Sequence, residues 1–203
     1  MTEFWNSLLT EKSWELLIEI KKKYKFILIG GWAVYLLTKQ QKSKDIDIVV
    51  DISELQKLKS ENLQKNQNLK KYEIKTENID IDIYVEHYSI LGIPVQDLKK
   101  YVINLGGFDI PNPEVMIILK QEAYNNRKDS IKGQKDEIDI ISLIFFSDFN
   151  PKNYLSILRE YKKDNFYSSL ISLVRNFKDY NKLNLNPREF KIKKNKILEK
   201  MKM

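Results

Sequence analysis

Cysteine is absent from this 203-residue sequence, and histidine occurs once, as His87. The first absence excludes disulfides and thiolate zinc sites. The second leaves too little material for a histidine-based metal centre or a Ser-His-Asp triad, and His87 reads as a loop residue. Long apolar runs are also missing. None approaches the ~20 residues of a membrane span, and the opening "MTEFWNSLLTEKSWELL" carries charges through its apolar pattern, unlike a secretory signal. The expectation is a protein with no membrane partner and a cytoplasmic location.

What is present is enough for a real core: 42% hydrophobic and 11% aromatic residues exclude global disorder. Thirty-five basic residues against 28 acidic ones leave a net charge of +7. Such an excess favours anionic partners, nucleotides or RNA among them, and also serves solubility. The length fits one domain or a domain with a substantial appendage.

Residues 3–23 carry Trp5, Leu8, Leu9, Trp14, Leu17 and Ile18 at mostly helical spacing and end in "KKKYK". "FILI" reads as a short buried strand stopped by Gly30-Gly31, "WAVYLLTK" as a compact helix and "DIDIVV" as a second strand. "DISELQKL" opens another helix, with Asp51 as N-cap and Glu54 three residues on. "KSENLQKNQNLKK" reads as a solvated loop, and "IDIDIYV", residues 79–85, as a third strand. From Pro111 onward five segments read as helices, three of them opening with Asn-Pro, an N-cap followed by proline at the first helical position. The fold class expected is α/β (α+β): a small mixed sheet over residues 1–110, followed by an all-helical half over residues 111–203.

Two carboxylates, Asp45 and Asp47, interrupt a run of buried-strand character. Strand alternation points both the same way, with Cα atoms about 6.5–7 Å apart, so both can reach one divalent cation. Asp80 and Asp82 share a face in the third strand, and one of them can complete a three-carboxylate cluster if the strands are neighbours. Such a cluster suits Mg²⁺, with substrate phosphates as further ligands. The plainer reading is two amphipathic strands with solvated acidic faces.

Gly30-Gly31 lies between a buried strand and a helix, where backbone amides can approach an anion at the helix N-terminus. A plain tight turn is the alternative. Thirteen residues separate the glycines from Asp45, room for a short helix and a turn that return the chain to the sheet beside the glycine loop.

Together these residues, "IGGWAVYLLTKQQKSKDIDIVV", resemble the signature of the polymerase-beta-type nucleotidyltransferases: hydrophobic-Gly-Gly, a short helix, then acidic-hydrophobic-acidic. The resemblance implies that Gly30 and Gly31 hold nucleotide phosphates and that Asp45, Asp47 and Asp82 are catalytic carboxylates binding two Mg²⁺ ions, with Asp80 as the fallback for the third. Two branches come nearest. The abortive-infection nucleotidyltransferases, toxins of type IV toxin–antitoxin systems, continue with a helical Lys, an Arg and a Lys-Asp pair ahead of another Asp. "LKQEAYNNRKDSIKGQKDEIDIISL" supplies Lys120, Arg127, Lys135, Asp136 and Asp139 at those places. The small antibiotic nucleotidyltransferases also carry "GGWA". The likeness covers roughly residues 26–145. One departure is Gln41, where the family often has Arg; Lys42 can supply charge there but not a bidentate fork. Ser43 matches a Ser or Thr position and can bond a phosphate or the strand entrance.

Lys120, Ala123, Tyr124 and Arg127 share a helical face, which reads equally as a basic surface for a triphosphate and as a solvated face. Lys135 reads as a triphosphate ligand oriented by Asp136 or Asp139, or as a surface partner of Asp139. The implied reaction moves an NMP from an NTP such as ATP to an acceptor hydroxyl with release of pyrophosphate. The acceptor is tRNA, another RNA or a protein in the toxin-like reading, with a cognate antitoxin protein as a further partner. The alternatives are a small-molecule transferase, or a catalytically weak nucleotide-binding module working through a partner.

Overall fold

The structure, a computed structural model, describes residues 2–59 and 61–202, with side chains from Ser7 onward. Trp5 therefore lies outside the described side chains. The chain divides into two compact units, Met1–Pro111 and Asn112–Met203.

In the first unit α1 (Thr2–Lys23) buries Leu17 and Ile20 and leads into β1 (Ile27–Ile29). Trp14 of α1 packs 4.9 Å from Trp32, whose indole N–H donates to the buried Ser13 hydroxyl at 2.9 Å. This pairing satisfies the one polar atom of a large buried ring. Helix α2 (Gly30–Thr38) begins at the double glycine itself and stops at Lys39, which takes a left-handed conformation. Strand β2 (Ile46–Val50) follows, then α3 (Ile52–Leu58). Asp51 caps α3 by accepting from Glu54 N at 2.8 Å. Glu54 does not complete a reciprocal box; its carboxylate accepts from Lys25 N and Lys57 instead.

The segment expected to be a solvated loop contains β3 (Gln64–Asn66) and leads into β4 (Lys71–Lys75), which pairs with β5 (Asp80–Val85). Their polar residues hide the strands from a hydrophobicity pattern; β4 is ordered by pairing with β5, and β3 by pairing with β4. The sheet runs β1-β2-β5-β4-β3, with β2 and β5 parallel and every other neighbour antiparallel. Ile46, Ile48 and Ile83 are wholly buried on its core face. After a short 3-10 helix (Val95–Tyr101), β6 (Val102–Leu105) and β7 (Phe108–Pro111) form a separate hairpin that the sequence reading does not contain. Its turn is Gly106-Gly107, both at positive φ, a conformation that costs glycine little.

The second unit is helical: α4 (Pro113–Arg127), α5 (Ile131–Phe146), α6 (Pro151–Glu160), α7 (Asn165–Asn176) and α8 (Pro187–Lys200). Asn112, Asn150 and Asn186 cap their helices as the Asn-Pro pairs foretell, and Asn186 forms a full capping box with Glu189. Helix α5 starts earlier than its apolar pattern, because Ser130 caps it through Gly133 N. Tyr154 is fully buried and its hydroxyl donates to Gln121, which in turn donates to Phe166 O at 3.0 Å. Among the described residues, no helix is long and apolar enough to cross a membrane.

Candidate active site

Strand β2 carries Asp47 between the buried Ile46 and Ile48. Asp45 lies in the bend just ahead of the strand rather than in its ladder. Ser43, almost fully buried, donates its hydroxyl to Asp45 O at 3.1 Å and so ties down this bend. Of its two expected roles, bonding the strand entrance is the one the geometry displays.

Asp47 stands directly opposite Asp82 on the parallel neighbour β5, and Asp82 stands opposite Glu73 on β4. Three carboxylates thus form a row across three adjacent strands. Glu73 is absent from the sequence-based candidates because residues 72–78, between the expected loop and the third strand, are assigned to no element; the alternation in "KYEIK" was the available signal. Asp80 is exposed and pairs in register with Lys75, further along the strand.

Gly30 has φ +65° and faces the Asp47 side chain so closely that any Cβ would overlap the carboxylate. Both conditions demand glycine at this position. The glycine turn and the β2 carboxylate are therefore in contact, at the N-terminus of a helix that has no side-chain cap. Gly31 is buried in the first turn of the same helix.

Charge in the row is unevenly compensated. Asp45 Oδ1 is buried without a hydrogen-bond partner, and the exposed Lys44 ammonium is 3.9 Å away. Lys71, only 11% exposed at its side chain, places its ammonium 2.6 Å from Asp82 Oδ2 and 3.1 Å from Glu73 Oε1. Asn66 also donates to Glu73, at 2.9 Å. Burial raises the Asp82 pKa, the Lys71 bond and charge counter it, and the charges of Glu73 and Asp45 add to the rise. Burial opposes the charge on Lys71, but its bonds to Asp82 and Glu73 win and raise its pKa. Among the described residues, no three metal-ligating side chains converge on one point; the third expected carboxylate is engaged by a lysine.

The second unit holds the remaining candidates. Lys120 lies 3.3 Å from Asp136 Oδ1 and 2.7 Å from Asp139 Oδ2, and Arg127 makes a two-pronged contact with Asp136 at 2.7 and 3.0 Å. Both carboxylates are nearly inaccessible. The face shared by Lys120 and Arg127 is therefore neither a simple solvated surface nor an open basic one, but part of a partly buried ion cluster. Asp139 pairs with Lys120 from α4, not with Lys135 on its own helix, and Lys135 is half-exposed.

No protein-family model and no curated protein matches the chain. Among solved structures it is similar to JHP933 from Helicobacter pylori, with 16% identity, 96% of this chain and 92% of that one covered, and a TM-score of 0.51. It is also similar to an antigenic nucleotidyltransferase-like protein from Paracoccidioides brasiliensis, with 18% identity, 80% of this chain and 91% of that one covered, and a TM-score of 0.39. The first likeness shows a shared fold over nearly the full length of both chains. The second is too loose to support an argument.

Proposed function

We propose that this protein is a metal-dependent nucleotidyltransferase that moves an NMP from an NTP to an acceptor hydroxyl. The observation that carries the reading is the contact between Gly30 and the Asp47 carboxylate, with Asp82 in register on the next strand. A glycine turn at a helix N-terminus and an acidic row thus adjoin, which a merely solvated acidic face does not require.

Oxygen-only donors such as Asp45 and Asp47 suit a hard cation, and the partnerless Oδ1 of Asp45 is a group that a bound cation satisfies. Asp45 and Asp47 would hold Mg²⁺, which when bound neutralises triphosphate charge. Two ions are the number the family resemblance implies, the second shared with Asp82. Gly30 and Gly31 would present backbone N–H groups to the phosphates, and Ser43 would hold the bend that carries Asp45. The acceptor oxygen attacks the α-phosphorus as the bond to the β-phosphate oxygen breaks. Pyrophosphate leaves, and the acceptor proton passes to Asp82. The family resemblance further implies triphosphate contacts from Lys120, Arg127 and Lys135; the first two are engaged by Asp136 and Asp139 within the second unit.

For the acceptor we favour RNA, on the strength of the +7 charge and the exposed Lys191, Lys196 and Lys200 of α8; a toxin-like role with a protein antitoxin is what the family resemblance adds. A weak nucleotide-binding module is the second reading, favoured by Gln41 and by the Lys71–Asp82 bond. Incubation with each α-labelled NTP, Mg²⁺ and total tRNA, followed by gel analysis of RNA and protein, tests both. Label on RNA that vanishes with Asp47→Asn supports transfer; no labelled product with any NTP sinks it.

A further inference from the structure

We infer that Lys71 occupies the place of a second divalent cation, so that the site holds a single ion, at Asp45 and Asp47. The inference rests on the nucleotidyltransferase reading and narrows it. Carboxylates directly opposite one another on neighbouring strands repel, and Asp47, Asp82 and Glu73 form two such contacts in series. A cation within the row must offset this. Lys71 lies on the same strand as Glu73, two residues away, and therefore on the same face. From there its ammonium meets both Asp82 and Glu73 while nearly buried.

An ammonium is a compact point charge with three donors, closer to a metal ion in form than a guanidinium is. At 2.6 Å its bond to Asp82 Oδ2 has the short length of a charge-assisted pair. A divalent cation on Asp82 would have to sit within a few ångströms of this ammonium, and the two positive charges repel. Burying an unpaired lysine is costly, and the bonds to Asp82 and Glu73 together hold Lys71 in this position. In the bend ahead of β2, beside the row, the balance reverses. Asp45 Oδ1 has no hydrogen-bond partner, and Lys44 approaches it only to 3.9 Å from the solvent side. The buried oxygen left without a hydrogen bond is thus on Asp45, while Asp82 and Glu73 are met by Lys71. Lys71 is a positioning residue in this account: it orients Asp82 and supplies fixed positive charge where the acceptor oxygen becomes anionic.

The test is Mn²⁺ titrated into the full chain at high protein concentration, with free ion counted by electron paramagnetic resonance. One ion per chain is expected in the wild type and in Lys71→Arg, and two in Lys71→Met, the second disappearing again when Asp82→Asn is added. Two ions in the wild type overturn the inference, as does a folded Lys71→Met that still binds one. If Lys71→Met does not fold, the wild-type and Lys71→Arg counts decide alone, two ions in either overturning it and one in both supporting it. Failure of the underlying transferase reading looks different: no Mn²⁺ bound at all, or binding indifferent to Asp45→Asn and Asp47→Asn.

Discussion

Gly30, the first residue of α2, lies against the carboxylate of Asp47 with no room for a methyl group between them. The positive φ of Gly30 adds a second reason why no other residue fits. Gly30→Ala is expected to destabilise the protein by about 1–3 kcal/mol and to remove nucleotide transfer. Gly31→Ala, at a buried position without positive φ, should cost less stability. Urea melts and turnover measured on both variants check this; equal effects would mean that Asp47 yields readily.

Asp45→Asn and Asp47→Asn should each abolish transfer while the thermal midpoint holds or rises, because removing charge relieves repulsion in the acidic row. Asp82→Ala should also eliminate turnover, whereas Asp80→Ala, at an exposed position, should reduce it only modestly. Full activity in the Asp47 variant would end the metal-carboxylate reading, and an Asp80 effect larger than that of Asp82 would move the third carboxylate.

Lys120, inside the α4–α5 ion cluster, and Lys135, outside it, should respond differently to substitution. Lys120→Met leaves Asp136 short of one cation and removes the ammonium 2.7 Å from Asp139, both carboxylates being buried inside the unit. Breaking such a buried pair costs about 3–5 kcal/mol. Lys135→Ala should stay within about 0.5 kcal/mol of wild type yet lower kcat, if Lys135 engages the departing pyrophosphate. Equilibrium unfolding and steady-state kinetics separate the two, and a large stability loss for Lys135→Ala would place it in the ion cluster instead.

Acid should weaken the α3 cap. Hydrogen bonds from Ser53 and from Glu54 N lower the Asp51 pKa, so its folded value lies below the unfolded value of about 3.9. The contribution is complete above that unfolded value and fades as pH falls through the folded one. Asp51→Ala should cost about 1 kcal/mol at neutral pH, and Asp51→Asn, which keeps an accepting oxygen, only a fraction. The gap between wild type and Asp51→Ala should shrink below pH 4; a gap that widens there would contradict the assignment.

If RNA is the acceptor, binding should fall steeply with salt. Deleting α8 is a poor test, since Phe190, Ile197 and Met201 are buried in the helical unit. Reversing Lys191, Lys196 and Lys200 to Glu removes surface charge while sparing that core. The logarithmic salt slope for tRNA should become shallower by about 2–3. An unchanged slope would remove α8 from the RNA surface.

What the sequence determined alone was local. The Asn-Pro caps, the strands built on alternating isoleucines, the glycine turn ahead of an acidic strand and the helical second half are written in neighbouring residues, because backbone propensity and side-chain period act over a few positions. The likeness of "IGG…DID" to a known signature rested on the same short range. Tertiary structure alone decided which carboxylates meet. The order β1-β2-β5-β4-β3 brings Asp47 opposite Asp82, adds Glu73 from a segment too polar to read as strand, and brings Lys71 into the row. It likewise turned Lys120 and Arg127 from an apparent surface into an ion cluster with Asp136 and Asp139. Pairing across strands and helices depends on register between distant segments, and a charge reveals its partner only when that register is set.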